Sequence, residues 1–216
     1  MAETGNFPNQ VLYVNRKIGE TFPNHEVVIN KDGAFVIIVR NWLPNEWATE
    51  FMNFLVKNIQ WERHTHSMGV EQRLTYPMGD PGVKHGYTQR KRDCKPWLEQ
   101  VEFFKNSFNT LFNTKINGAL FNLYEKGQDY ISYHSDSEVL PPLDMVIAIS
   151  LGQSRDFYFK EKGTGEVTKT VINNGDLMLM YGQTQNKYLH SVPKRTGANA
   201  SAMGPRLSIT FRELIV

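Results

Sequence analysis

From residue 118 onward the chain reads as short apolar runs cut apart by turn signals, and this pattern limits the fold more than any other feature. The runs are residues 145–151, 157–159 and 177–180. Gly127-Gln128, Pro141-Pro142, Gly163-Thr164-Gly165 and Asn173-Asn174-Gly175-Asp176 punctuate them. Such runs are too short for the helices of a globular protein, and their even spacing fits strands that reverse at each turn. Many short strands of this kind bury their apolar faces by closing into a sandwich or jelly roll.

Upstream the period changes. Residues 26–29 and 34–39 read as strands joined by the turn Asn30-Lys31-Asp32-Gly33. Pro44 opens a helix whose apolar set is Trp47, Phe51, Phe54, Leu55 and Ile59. A second helix follows Pro96, with Trp97, Val101, Phe104, Phe108 and Leu111 on one stripe. Both stripes are predicted to be core. Residues up to about 24 mix Asn, Pro and Gly and are expected to be partly loose. Residues 61–95 hold no sustained period, which inside a compact domain marks a functional segment. The whole is predicted to be α+β, with two helices packed on one sheet of a jelly roll. At 216 residues it is expected to form one domain over 1–216. Within it, about 25–95 would be an N-terminal extension and lid, and about 96–216 a supporting helix and core.

A hydrophobic share of 40% and a charged share of 21% exclude a disordered tail protein. The longest apolar stretch, Ala34–Val39, is far short of the roughly 20 residues that span a bilayer. The opening Met1-Ala2-Glu3-Thr4-Gly5 has neither a basic nor an apolar region of a leader. One cysteine, Cys94, allows no internal disulfide. These features predict a soluble intracellular protein, nuclear or cytoplasmic, without a membrane partner; they name no protein partner.

The net charge is only +2, but it is unevenly spread. Residues 60–95 sum to +3, residues 96–159 to −4, and residues 160–195 to +3. One reading is ordinary scatter over a solvated surface. The other is a metal-attracting centre between basic walls that meet an anionic polymer.

Strand alternation puts residues i and i+2 on one face, so His134 and Asp136 would point the same way. His190, in Tyr188-Leu189-His190-Ser191-Val192-Pro193, is a third ligand candidate. Two imidazoles and one carboxylate on one side of an ion leave the opposite positions open, the arrangement of non-haem Fe(II) oxygenases. In the last strand Leu207, Ile209 and Phe211 take one face, and Arg206, Ser208, Thr210 and Arg212 the other. Two arginines beside two hydroxyls suit a buried dicarboxylate, because a guanidinium fork binds a carboxylate through two parallel hydrogen bonds. Asn122-Leu123-Tyr124 is a second polar alternation that would supply further donors. An iron site with a carboxylate-binding strand suggests 2-oxoglutarate as cosubstrate.

At these residues the sequence resembles a known family. Asn122-x-Tyr124-x-x-Gly127-x-Asp129-x-Ile131-x-x-His134-x-Asp136-x-Glu138 is similar to the signature of AlkB-type Fe(II)- and 2-oxoglutarate-dependent dioxygenases. So are Ser150-Leu151-Gly152-x-x-Arg155-Asp156-Phe157, Gly175-Asp176-Leu177, His190-Ser191-Val192-Pro193 and Arg206-x-Ser208-x-Thr210-x-Arg212. The resemblance is close over about residues 120–212 and looser back to about residue 35. Asp136-x-Glu138 and the block at 151–157 point to the DNA-repair branch. Ser208 stands where many members have Asn.

The resemblance implies a double-stranded β-helix with Fe(II) held by His134, Asp136 and His190. It implies that 2-oxoglutarate chelates the iron and meets Arg206 through its distal carboxylate. Asn122, Tyr124, Ser208, Thr210 and Arg212 would complete that pocket. It places a nucleotide-recognition lid upstream of the core, in segment 61–95. There Tyr76 and Tyr87 are candidates for stacking on an extruded base. Arg90, Lys91 and Arg92 are candidates for phosphate contacts. Glu138 would face the exocyclic edge of the base, and Arg155 would line the same pocket. The implied reaction consumes O2 and 2-oxoglutarate and dealkylates bases such as 1-methyladenine and 3-methylcytosine. It releases formaldehyde, succinate and CO2, with alkylated DNA favoured over RNA. Two alternatives stay open: a dioxygenase of this fold acting on RNA, protein or lipid, and a nucleic-acid-binding module without turnover.

Overall fold

The computed structural model describes residues 7–66, 69–86, 91–136 and 145–214. Helix α1 (Phe7–Thr21) leads into the hairpin β1 (Glu26–Lys31) and β2 (Ala34–Val39), then helix α2 (Asn45–Asn58). Two-residue strands β3 (Thr65–His66) and β4 (Gly69–Val70) precede β5 (Leu74–Gly79), and a second small hairpin pairs β6 (Lys84–His85) with β7 (Arg92–Asp93). After helix α3 (Glu99–Phe112) come β8 (Gly118–Tyr124), β9 (Ile131–His134), β10 (Val146–Gly152), β11 (Arg155–Glu161), β12 (Val167–Ile172) and β13 (Leu177–Gly182). The one-turn helix α4 (Thr184–Lys187), β14 (Tyr188–Val192) and β15 (Arg206–Arg212) end the described chain.

Among the described residues the longer strands form two sheets. The larger has seven strands in the order β1-β2-β13-β10-β15-β8-β5, and the smaller has the order β12-β11-β14-β9. Their pairings are antiparallel, and the two layers are the jelly roll expected from the turn spacing. Side-chain alternation gives the large sheet two buried faces. Phe121, Ile147, Ile149, Leu179, Ile209 and Phe211 pack with Val14, Ala48, Leu55, Val101 and Phe108 of the helices. The intervening residues, including Val36, Ile38, Val146, Ala148 and Met178, pack with Phe157, Phe159 and Tyr188 of the small sheet. The site described below lies on this second, inner face. No helix among the described residues is long and apolar enough to cross a membrane.

Several expectations need correction. Of the opening, residues 1–6 lie outside the described residues, and Phe7–Thr21 is not loose: α1 buries Val11, Val14 and Ile18, spaced three and four apart, and keeps its Asn and Arg residues outward. Tyr13 Oη donates to Leu111 O at 3.3 Å and Tyr181 Oη to Asn15 Oδ1 at 2.6 Å, fastening α1 to α3 and the sheet. In α2 the predicted stripe is buried only in part: Leu55 and Ile59 are core and Phe51 packs against it, but the other two aromatic residues are exposed. Trp47 is 68% exposed and Phe54 37%, while Ala48, Met52 and Leu55 face the sheet. Smaller residues allow the close approach of α2: a Cβ on Gly152 of β10 would lie 2.4 Å from Met52 Sδ. In α3, Val101 and Phe108 are buried as expected, and Phe104 and Leu111 pack partly against the same core, as does Trp97, which precedes the helix and is not part of it. Segment 61–95 contains β5, which joins the large sheet at its edge, where Pro77 is tolerated for want of an N–H. β1 and β2, placed by sequence in an extension, are members of that same sheet.

The turn Asn173-Asn174-Gly175-Asp176 joins β12 to β13 and holds the loop before α2. Gly175 has φ +78, and a Cβ there would meet Leu43 O at 2.1 Å. Leu43 N donates to Gly175 O at 3.0 Å, so the backbones cannot part without losing that bond. Gly175→Ala is expected to destabilise the fold by about 2–5 kcal/mol, the sum of left-handed strain and overpacking. Urea unfolding should show a lower midpoint at unchanged slope. A loss below about 1 kcal/mol would mean the two backbones separate freely.

Candidate active site

His134 ends β9, and its register partner on β14 is His190. Asp136 follows two residues after His134, and its backbone N–H donates to Oε1 of buried Gln185 on α4 at 2.8 Å. Their ligand atoms all lie within 4.8 Å of one another, the one such group of three among the described residues. His134 Nε2 is 4.0 Å from Asp136 Oδ1, and His190 Nε2 is 3.6 Å from Asp136 Oδ2. His134 Nδ1 lies 2.9 Å from Ser132 O. A carbonyl only accepts, so Nδ1 carries the proton and Nε2 keeps its lone pair for an ion. Phe157 stacks on the His190 ring at 5.6 Å and 13°, which fixes that imidazole.

Charge states suit a cation. Burial pushes the His190 pKa down to about 3, helped by His134. Burial likewise lowers His134 below its ordinary value. Both rings are therefore neutral near pH 7, as metal ligands must be. Burial opposes the Asp136 carboxylate, but Arg212 and the adjacent imidazoles outweigh it and hold its pKa below the usual range. Arg212 Nη1 donates to Asp136 Oδ1 at 3.0 Å. Two neutral nitrogens and one carboxylate within one small space fit Fe(II) by donor type and number.

The inner face also carries a second, cationic group of side chains. Cross-strand register sets Arg206 beside Tyr124, and Ser208 between Asn122 and Ser150. Arg206 is 2% exposed; its Nε donates to Ser150 Oγ at 3.1 Å, and its guanidinium carbon sits 5.3 Å from the Tyr124 ring centre. Its Nη1 has no hydrogen-bond partner among the described residues. A buried guanidinium with an unmet donor is costly in isolation, and a carboxylate would satisfy it. Ser208 Oγ is 3.4 Å from Thr210 Oγ1 on the same face. Asn122 Oδ1 accepts from Arg73 Nε at 2.6 Å, leaving its amide N–H groups for another acceptor.

The structure does not bring every expected residue here. Tyr76 pairs in register with Phe121 and packs edge-on against it at 6.4 Å, on the helix side of the large sheet. Its neighbour Thr75, opposite Asn122, takes the inner face, so the parity of β5 turns Tyr76 away from the metal cluster. Arg155 is also not an open pocket wall. It is 2% exposed and donates to Gly127 O, Asp129 O and Pro193 O, at 3.3, 2.8 and 2.8 Å. It clasps the β8–β9 turn to the end of β14. Arg92 is half-buried and donates to Thr75 Oγ1 at 3.1 Å, and Lys91 is exposed. Tyr87, Arg90 and Glu138 lie outside the described residues. Sequence reasoning missed His85, Arg73, Gln185 and Ser150. Alternation along residues 146–152 puts Ser150 on the inner face and was a usable signal; the other three come from unpatterned or helical segments.

Residues 35–212 match the 2OG-Fe(II) oxygenase superfamily. The chain is 26% identical to the DNA oxidative demethylase ALKBH2 of Arabidopsis thaliana, over 94% of this chain and 73% of that one. It is 28% identical to the ALKBH2 of Bos taurus, over 79% of this chain and 62% of that one. It is 28% identical to the alpha-ketoglutarate-dependent dioxygenase alkB homolog 3 of Mus musculus, over 87% of this chain and 69% of that one. The chain thus spans 62–73% of the length of these relatives. A solved chain described as "The structure of OsALKBH1" superposes with TM-score 0.58 at 17% identity, covering 82% of this chain and 97% of that one, a likeness of fold.

Proposed function

Because the chain belongs to the 2OG-Fe(II) oxygenase superfamily and is an AlkB-type Fe(II)- and 2-oxoglutarate-dependent dioxygenase, we propose that it dealkylates nucleobases oxidatively, in DNA before RNA. One juxtaposition carries the reading: a two-histidine, one-carboxylate cluster shares the inner face with a buried arginine whose Nη1 has no partner among the described residues. In this reading His134, Asp136 and His190 hold Fe(II). Arg206 binds the distal carboxylate of 2-oxoglutarate, with Tyr124, Asn122, Ser208 and Thr210 around it. Bound iron, with O2 and 2-oxoglutarate, supplies the oxidising equivalent that hydroxylates an N-alkyl carbon. The hydroxylated base then loses formaldehyde, and succinate and CO2 leave. A base inside a duplex cannot reach a buried cluster, so it is flipped out, at least cost where damage has weakened its pairing. The names of the ALKBH2 relatives support DNA as the polymer. Tyr87 and Glu138 remain the candidates for stacking on the base and reading its edge, with segment 61–95 as the lid of a single domain.

The test is a turnover panel. Single- and double-stranded DNA and RNA carrying 1-methyladenine or 3-methylcytosine are incubated with Fe(II), 2-oxoglutarate and the protein. Formaldehyde and succinate should rise together with methylated DNA; no response to any methylated strand would overturn the reading. Basic surface predicts a salt effect as well. Lys91→Ala should lower oligonucleotide affinity and reduce the salt slope by about 1, because one phosphate contact releases about one counterion. An unchanged slope would mean that this turn faces away from the polymer.

A further inference from the structure

His85 is buried, at 6% exposed, and comes from β6, far in sequence from both other members of its contact chain. Its Nε2 meets Nη2 of Arg212, while Nη1 of the same guanidinium donates to Asp136 Oδ1 at 3.0 Å. Arg212 is 4% exposed and Asp136 7%, so solvent screens none of these contacts effectively. A guanidinium carries donors only, so the facing ring nitrogen must be the acceptor and the His85 proton sits on Nδ1. Arginine beside a carboxylate favours the two-pronged fork, in which Nη1 and Nη2 take both oxygens. That fork would engage Asp136 Oδ2, the oxygen that faces His190 Nε2 at 3.6 Å. His85 occupies the second prong.

We propose that His85 is a positioning residue: by holding Arg212 Nη2 it limits Arg212 to a single contact with Asp136, keeping Oδ2 free for the metal. The hairpin that carries it is anchored to the sheet a second time, through Arg92 Nη1 and Thr75 Oγ1 at 3.1 Å. The lid segment is thereby tied to the metal ligand through one ring. This inference rests on the metal centre proposed above, not on the substrate.

Mn(II), a redox-inert ion with similar ligand preference, serves as the probe in electron paramagnetic resonance titrations of the full chain. His85→Leu keeps volume but removes the acceptor, and is expected to weaken Mn(II) binding about tenfold, the lower end for an outer partner of a metal ligand. His85→Gln offers Oε1 near the position of Nε2 and is expected to restore affinity to within about threefold. A packing role would make both variants alike, and that result would overturn the proposal, as would wild-type affinity in His85→Leu. A measurement on the unsubstituted, metal-free protein is independent of whether variants fold. Histidine ¹⁵N chemical shifts should show Nδ1 protonated and Nε2 bare at His85, and a proton on Nε2 would overturn the contact. Failure of the unsubstituted protein to bind Mn(II) would instead overturn the metal centre, and the ¹⁵N measurement keeps the two failures apart.

Discussion

His134→Ala and His190→Ala are each expected to lower Fe(II)-dependent succinate formation by more than about a hundredfold, beyond the 10–100-fold that loss of an outer partner typically causes. Both side chains sit on paired strands, and neither imidazole carries a fold-level ion pair at neutral pH, since burial keeps both uncharged. Their loss should therefore remove no ion pair, and the cost to stability is that of packing, larger for His190, whose buried ring stacks on Phe157. Asp136 differs. Arg212 contacts it within the interior, so Asp136→Ala leaves a buried guanidinium uncompensated and is expected to cost about 3–5 kcal/mol of stability. Asp136→Asn is the sharper test, because the amide keeps an oxygen for Arg212 and removes the charge a divalent ion requires. The sign with pH follows from the depressed Asp136 pKa: its stabilising contribution is complete above the ordinary value of 3.8 and is lost only as pH falls through the lower folded value. Near wild-type turnover in any of these variants would remove that residue from the iron site.

Legibility followed strand parity. His134-x-Asp136 and the alternation Arg206, Ser208, Thr210, Arg212 were readable because a two-residue period assigns each side chain to a face without knowledge of its neighbours. The same rule, applied to β5, would have set Tyr76 opposite Thr75 and away from the site, but the strand was not recognised, since Pro77 and Gly79 interrupt its pattern. His85 was invisible for another reason. Its meaning lies in a contact with Arg212 across 127 positions, and a two-residue strand carries no period from which a face can be read. Arg155, read from the sequence as lining the base pocket, gathers backbone carbonyls in the structure, and its guanidinium carbon lies 5.6 Å from the Tyr124 ring centre. An arginine in a block beside an active site is equally suited to binding an anion and to gathering backbone carbonyls, and only the geometry distinguishes these uses. In α2 the aromatic residues drew the helix face toward Trp47, whereas the sheet accepted the smaller stripe through Ala48 and Met52.

Arg206→Met should produce two effects of opposite sign. The side chain is 2% exposed, burial lowers its pKa, and its Nη1 lacks a partner among the described residues. A buried cation in that state opposes the metal-free fold, and apolar replacement of buried charges of similar volume is often neutral or stabilising by about 1–4 kcal/mol. The variant is therefore expected to unfold at an equal or higher temperature than the unsubstituted protein. Its 2-oxoglutarate requirement should rise about tenfold to a hundredfold, from the loss of a charge-assisted hydrogen bond of roughly 1.5–3 kcal/mol. Mn(II) affinity should stay within about twofold, because Arg206 touches none of the three ligands in the contacts described. Arg206→Lys should recover little of the cosubstrate affinity, since a point-like ammonium cannot reproduce the fork held between Ser150 and Tyr124. A residue retained only for the fold would behave the other way, with lower stability and an unchanged 2-oxoglutarate requirement. That outcome would assign the last strand a structural task and remove the cosubstrate from the inner face.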